Sequence, residues 1–239
     1  MDWSIVADAL PKFALVLRVT LLLLAASVMT GLAPSIPLSV ARVSPRRWLA
    51  WLVLGFTYAL RGTPLLVQLF MIYFGLAQFA WVRDSAVWPL FKSAWFRSWL
   101  ALSLNTTACT TEMQAGALRA MPHGELEAAR AAGMGPATVL RRILLPGALR
   151  RALPQHGNKV VLMLHATPLA SAVSLVELTR VARNVYEDHF VVAEAFGTLG
   201  VLYFVLTFLL VGGFRLLERR YLRHLAPKRA EAAPRMQAA

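Results

Sequence analysis

Cysteine is all but missing from this chain: Cys109 is the only one, and it lies inside an apolar stretch. That excludes a disulfide framework and a thiolate metal site, and leaves Cys109 as a small buried apolar residue. Acids are scarce as well, 12 against 25 Lys and Arg, and charged residues make up only 15% of 239 positions. With 58% hydrophobic residues, such a composition excludes an ordinary water-soluble domain. No glycine-rich phosphate loop ending in Lys-Ser or Lys-Thr occurs, so the usual nucleotide-binding signature is absent. No His and carboxylate cluster has metal-ligand spacing and no activated nucleophile stands out, which counts against a membrane-embedded enzyme and leaves both the catalytic and the metal-ligating sets empty. The net charge of +13 does not mark a nucleic-acid binder, because the basic residues lie between apolar runs instead of covering a polar face.

What the chain does have is apolar runs of the ~20 residues needed to cross a bilayer as a helix. Five segments qualify, approximately 15–40, 48–79 with an internal break, 99–118, 156–176 and 193–214. The predicted fold class is therefore all-α integral membrane with five transmembrane helices, a domain over 1–226 and a short basic tail over 227–239 beside lipid headgroups. Basic loops stay on the cytoplasmic side. Three Lys and Arg fall in the gap after the first segment, six after the third and seven in the tail, sixteen in all, against seven on the opposite side. The N-terminus is expected outside and the C-terminus inside. Tryptophan favours the headgroup level, and all seven fit: Trp3, Trp81, Trp88, Trp95 and Trp99 outside, Trp48 and Trp51 inside. Lys12 and Arg18 before an apolar run resemble a signal peptide, but Asp2 and Asp8 precede them, so an uncleaved first span is expected.

Between the third and fourth segments lies a long cytoplasmic stretch, 119–155, rich in helix formers. Glu125 and Glu127 open a helix where the positive dipole end favours acids, and Gly133, Met134, Gly135 and Pro136 break it. Pro136 suits the first turn of a second helix ending before Pro146, giving two short helices at an angle. Alanines at 128, 129, 131 and 132 make the first helix thin; by pattern alone it serves equally as a docking helix or as one lying on headgroups.

Glu127, Ala128 and Ala129, then Gly133, then Ile143, Leu145 and Pro146 resemble the EAA signature of importer permeases of the ATP-binding cassette (ABC) class, matched at each defining position. Further blocks resemble permeases for polar amino acids: Arg61 to Gln68 (RGTPLLVQ), Leu104 to Thr107 followed by Glu112, and 145–154. Pro122 to Glu125 and Leu162 to Thr167 are similar to the M-type subunits of histidine/lysine/arginine/ornithine and opine importers. The resemblance implies a type I ABC importer permease fold whose loop helix is held in a groove of a cytoplasmic ATPase. Glu127 would contact that ATPase and Gly133 make the turn, with Ala128, Ala129, Ile143 and Pro146 completing the coupling set. It also implies the partners: a homologous Q-type permease, two copies of an ATP-binding subunit that hold ATP and Mg, and a periplasmic amino-acid-binding protein. The cargo implied is a polar, cationic amino acid or an opine, moved by alternating access.

Polar residues in a span are costly and face a partner or a pathway. Glu112 is the one acid well inside a predicted span, an insertion cost of about 2.5–3.5 kcal/mol. It is met either by a cationic substrate or by an internal partner, such as Gln68, Asn105 or a basic group of a neighbouring subunit. Arg61, Gly62, Thr63 and Pro64 interrupt the second segment, either to line a polar cavity or as a packing kink. Thr167, Pro168 and Ser171 form a similar kinked patch. His165 and Ala166 stand where the wider family commonly has Lys and Asp, and the missing Asp implies that the Q-like partner supplies the main substrate site; His165 reads first as a packing residue. A proton- or sodium-coupled carrier is the alternative, though neither internal repeats nor intramembrane titratable pairs are visible in the sequence.

Overall fold

The computed structural model describes residues 3–221, and every element among them is helical. The tail expected over 227–239 lies outside the described residues.

The first helix, α1 (Trp3–Arg42), runs 40 residues, about 60 Å at 1.5 Å per residue and well beyond the ~30 Å hydrocarbon core. The extra length has a purpose that hydropathy does not reveal. Ala9 and Phe13, upstream of the predicted span, are buried against Leu178, Val181, Ala182 and Val185 of α10 (Leu178–His189). The gap between the fourth and fifth apolar segments, which the sequence supplies only with Arg180 and Arg183 to count, therefore holds an amphipathic helix. Its apolar positions 178, 181, 182 and 185 follow the spacing of one helical face.

The second apolar segment is not one straight span. α2 (Arg47–Gly62) stops at Thr63, which is extended (φ −102°, ψ 140°) because the ring of Pro64 disfavours the helical region for the residue before it. The chain then turns by 102° into α3 (Leu65–Phe70), continued by a π-turn over Met71–Gly75 and a 3₁₀ turn over Leu76–Gln78. Short helices α4 (Ala80–Arg83) and α5 (Trp88–Lys92) lead to α6 (Ala94–Arg119). Arg97 of α6 steadies the bent segment, with its guanidinium carbon 3.6 Å from the Tyr73 ring centroid and Nη1 donating to the Tyr73 carbonyl at 2.7 Å.

α6 is the central helix. It packs against α1, α2, α3 and α9 (Leu145–Ala166). Leu102 joins Leu23 and Leu24 of α1 and Met163 and Leu164 of α9 in one core cluster. The third apolar segment expected from the sequence, 99–118, falls on α6, but its buried polar residues leave it less apolar than α1 and α11 (Val192–Tyr221), the two single helices apolar enough to cross a bilayer. Asn105, Thr106, Thr107, Thr110, Thr111 and Gln114 are buried on α6, shielded from lipid by the surrounding helices.

α7 (His123–Ala131) is the first loop helix, as expected. The second is different: a helix opens at Pro136 as α8 (Pro136–Val139), but it does not end before Pro146. It passes through a π-turn, Leu140–Leu144, into α9 and ends as a 3₁₀ stretch at Val173. The Leu145 amide bonds to the Leu140 carbonyl, five residues back, so Pro146 falls in the first turn after a ladder shift, where its missing N–H leaves no gap. The expected pair of short helices is thus one short helix and the N-terminal end of a long one.

Gly31 sets the closest approach of α1 to α6. A methyl there would lie 2.6 Å from Thr106 Cβ and 2.9 Å from the Ser103 carbonyl oxygen, so one helix would have to shift. Gly31→Ala is expected to cost about 1–3 kcal/mol by overpacking, seen as a lower thermal midpoint in detergent. Gly55→Ala, which meets nothing within 4 Å, should not lower it.

Candidate functional site

Two constellations emerge, one at the loop and one inside the helix bundle. At the loop, Pro122 occupies the N-cap position of α7, and Ala132 ends the helix with its amide on the Ala128 carbonyl. Gly133 adopts φ +71°, the left-handed region that favours glycine. The Gly133 amide donates to the Arg130 carbonyl at 2.9 Å and the Met134 amide to the Ala129 carbonyl at 3.1 Å, the paired bonds of a Schellman motif. The glycine therefore makes a defined turn that throws the chain back into α8. Arg151 of α9 pins the other end, with Nη2 3.1 Å from Glu125 Oε1 and Nη1 donating to the Ala120 carbonyl at 3.2 Å.

Glu127 and Ala128 are exposed on this fixed helix, and Ala129 is only 4% exposed. Ala129 thus faces its own chain and supports the turn, while Glu127 and Ala128 form the presented surface. Ile143 and Pro146 are half-buried and line a cleft of about 280 Å³ together with Glu125, Arg142, Arg150 and Arg151. The six residues picked from the sequence fall in one elbow, with separate duties.

Inside the bundle, the helix break and the centre of α6 share one network. The Gln68 carboxamide nitrogen donates to the Leu60 carbonyl and, at 2.9 Å each, to the carbonyl and hydroxyl of Thr63. These are carbonyls freed by the Pro64 break, and in lipid they need a donor from the protein. Gln68 Oε1 accepts from Asn105 Nδ2 at 3.3 Å, and Asn105 Oδ1 accepts from Lys159 Nζ of α9 at 2.9 Å. Arg61 ends α2 beside this network and is exposed.

Glu112 lies elsewhere, two turns further along α6. Its Oε1 accepts from Arg42 Nε and from Thr57 Oγ1, both at 2.8 Å. The carboxylate so ties the last turn of α1 and the middle of α2 to the central helix. Of the alternatives left open by the sequence, an internal partner is present, though it is neither Gln68 nor Asn105. Arg42 and Glu112 also form a titratable pair that a linear reading misses, because 70 residues separate them.

The residues around the fourth-segment kink face another way. His165 Nε2 lies 3.0 Å from Thr207 Oγ1 of α11, and Thr167 Oγ1 lies 3.1 Å from Tyr203 Oη, also on α11. Tyr203 in turn donates to the fully buried Glu177, whose other oxygen accepts from the Arg180 amide at the start of α10. Ser171 is buried and donates to the Pro168 carbonyl at 2.7 Å. The structure therefore unites Thr63, Gln68 and Asn105, sets His165 and Thr167 apart on the α11 side, and leaves Ser171 bonded within its own 3₁₀ turn. The residues missed by the sequence reading are Lys159, Arg42, Thr57 and Glu177. Lys159 carried a visible signal, a cation within an apolar run; the other three carried none, since their partners are distant in sequence.

Comparisons with known proteins bear on the fold and the family. Residues 34–223 match the family model for binding-protein-dependent transport system inner membrane components. The chain is 42% identical to the histidine/lysine/arginine/ornithine transport system permease protein HisM of Escherichia coli K12, over 87% of this chain and 88% of HisM. It is 39% identical to the nopaline transport system permease protein NocM of Agrobacterium fabrum, over 87% of each, and 41% identical to the octopine permease OccM of Rhizobium radiobacter, over 80% and 78%. A crystal structure of an amino acid ABC transporter with histidines superposes with a TM-score of 0.82 at 29% identity, over 92% of this chain and 99% of that one. The MetNI methionine ABC transporter in inward-facing form shares the fold, at a TM-score of 0.67 and 20% identity. These likenesses favour the ABC class over a secondary carrier. The chain therefore belongs to the binding-protein-dependent inner membrane components, as a permease of the ABC-importer type.

Proposed function

We propose that this chain is one half of the translocation unit of an importer for polar amino acids, cationic ones such as histidine, lysine, arginine and ornithine, or for opines. The observation that carries the reading is the exposed Glu127 and Ala128 on a helix held at one end by Arg151 and at the other by the Gly133 turn. A rigid handle of this kind transmits displacement instead of absorbing it. The cargo class is supported by identity of about two fifths to permeases named for those cargoes.

In this reading the chain crosses the inner membrane five times, with α6 as the shielded central crossing, the N-terminus in the periplasm and the C-terminus in the cytoplasm. A homologous Q-type permease completes the pathway, two ATP-binding subunits hold ATP and Mg, and a periplasmic binding protein delivers the cargo. The chain transmits the energy of hydrolysis without performing it. When the ATPases close, their grooves draw the α7 handles together. The displacement passes through Arg151 and the continuous helix 136–173 to the bundle, which alternates its opening between the two faces.

Two outcomes test this. Glu127→Lys should abolish ATP-driven uptake in proteoliposomes and weaken copurification of the ATPase; uptake and association at wild-type levels would remove α7 from the coupling role. Glu112→Gln should lower uptake of arginine and of glutamine alike, because Glu112 is already paired with Arg42 and Thr57, and Arg42→Gln should do the same. A loss confined to cationic cargo would return Glu112 to the substrate.

A further inference from the structure

Lys159 is a cation without a counter-ion. It is half-buried on α9, its Nζ bonds to the neutral amide oxygen of Asn105, and among the described residues no carboxylate lies within 4.0 Å of it. The depth of this site is set by α6: Asn105 stands near the middle of the helix Ala94–Arg119, so the lysine sits near mid-height of the bundle. A lone charge at that depth is expensive and tends to face an interior pathway. The only acid on the neighbouring stretch of α6, Glu112, is engaged by Arg42 and Thr57. Arg61 at the nearby break adds a second cation. The polar strip is thus left with positive charge and no negative group to balance it.

The face of α9 that carries Lys159 is closed on one side by Met163, buried in the core, and open on the other. Leu162, one turn on, is 55% exposed, and Ala166, on the same face two turns on, is half-buried and too small to cover the ammonium. On the inner side Lys159 is backed by donors and acceptors already committed to one another, since Asn105 and Gln68 bond to each other and to the break. Asn105 therefore aims the ammonium and leaves its remaining N–H donors for something arriving from the open side.

We propose that Lys159 is the carboxylate anchor of the pathway, taking the α-carboxylate of an amino-acid cargo while Asn105 holds the ammonium in place. This rests on the importer reading above and adds to it the end of the cargo that this subunit recognises. The α-carboxylate is the negatively charged group that cationic amino acids and their carboxyalkylated derivatives both carry, and it is the group an unpaired lysine selects. The side-chain cation of the cargo would be held away from this strip, which repels it.

The test uses the assembled permease–ATPase complex in detergent, without the binding protein, and compares binding of L-arginine with agmatine, which keeps the guanidinium and lacks the carboxylate. Wild type should prefer arginine by about tenfold or more, the discrimination expected of a charge-assisted bond. Lys159→Gln, which can still donate to Asn105, should bring that preference close to unity, and Lys159→Arg should keep most of it. A wild-type complex with no preference, or a Lys159→Gln complex with the preference intact, overturns the proposal. So does loss of the second permease on purification of Lys159→Gln, which would assign the lysine to an acid of that subunit. Failure of the wild-type complex, reconstituted in proteoliposomes with its binding protein, to import any amino acid with ATP would instead strike the importer reading itself.

Discussion

The carboxamide of Gln68 holds together what the rest of the bundle needs. A helix broken inside a membrane leaves carbonyls without donors, and hydrocarbon supplies none. Gln68 meets the carbonyls of Leu60 and Thr63 with its nitrogen and offers its oxygen to Asn105. The same side chain thereby stabilises the 102° bend of the second segment, attaches that bend to the central helix, and extends through Asn105 to Lys159. Without it, the break would leave the Leu60 and Thr63 carbonyls unsatisfied, and α3 would be held to α6 only by the packing of Leu69 on Ala101 and by the Arg97–Tyr73 contact.

The bundle separates two kinds of polar contact. On the α11 side, Thr167, Tyr203 and Glu177 form a set whose members bond to each other and to the start of α10, and His165 bonds to Thr207 of α11. That set locks helices together. On the α3 side, the chain from Thr63 to Lys159 ends on an ammonium with capacity left over. Both sets lie in the interior, and a polar residue in a span does not reveal which it joins until its partners are known. Toward the C-terminal end of α6, Arg42 and Glu112 add a third contact that, with Thr57, ties α1 and α2 to α6.

Motion from the loop has a continuous route into this interior. The helix starting at Pro136 carries the π-turn, the Arg151 contact to Glu125 and, further along, Lys159 itself. Arg151 joins α7 directly to α9, so the route to the polar strip follows one helix that includes the π-turn and Pro154.

Composition, hydrophobic runs and the distribution of arginine determined the membrane class, and the places of the apolar segments, because bilayer thickness acts on every span alike and is written locally. The Pro64 break and the Gly133 turn were equally local, since each follows from one residue's backbone preference. What only the tertiary structure decided was every pairing across distance: Glu112 with Arg42, Asn105 with Lys159, His165 with Thr207, and the burial of Phe13 under α10. Those depend on which helix faces which, and a linear pattern carries the direction of a side chain along its own helix but not the identity of the neighbour it meets. The passage of the helix through Pro146 belongs with them, because a ladder shift of one residue leaves no mark in composition.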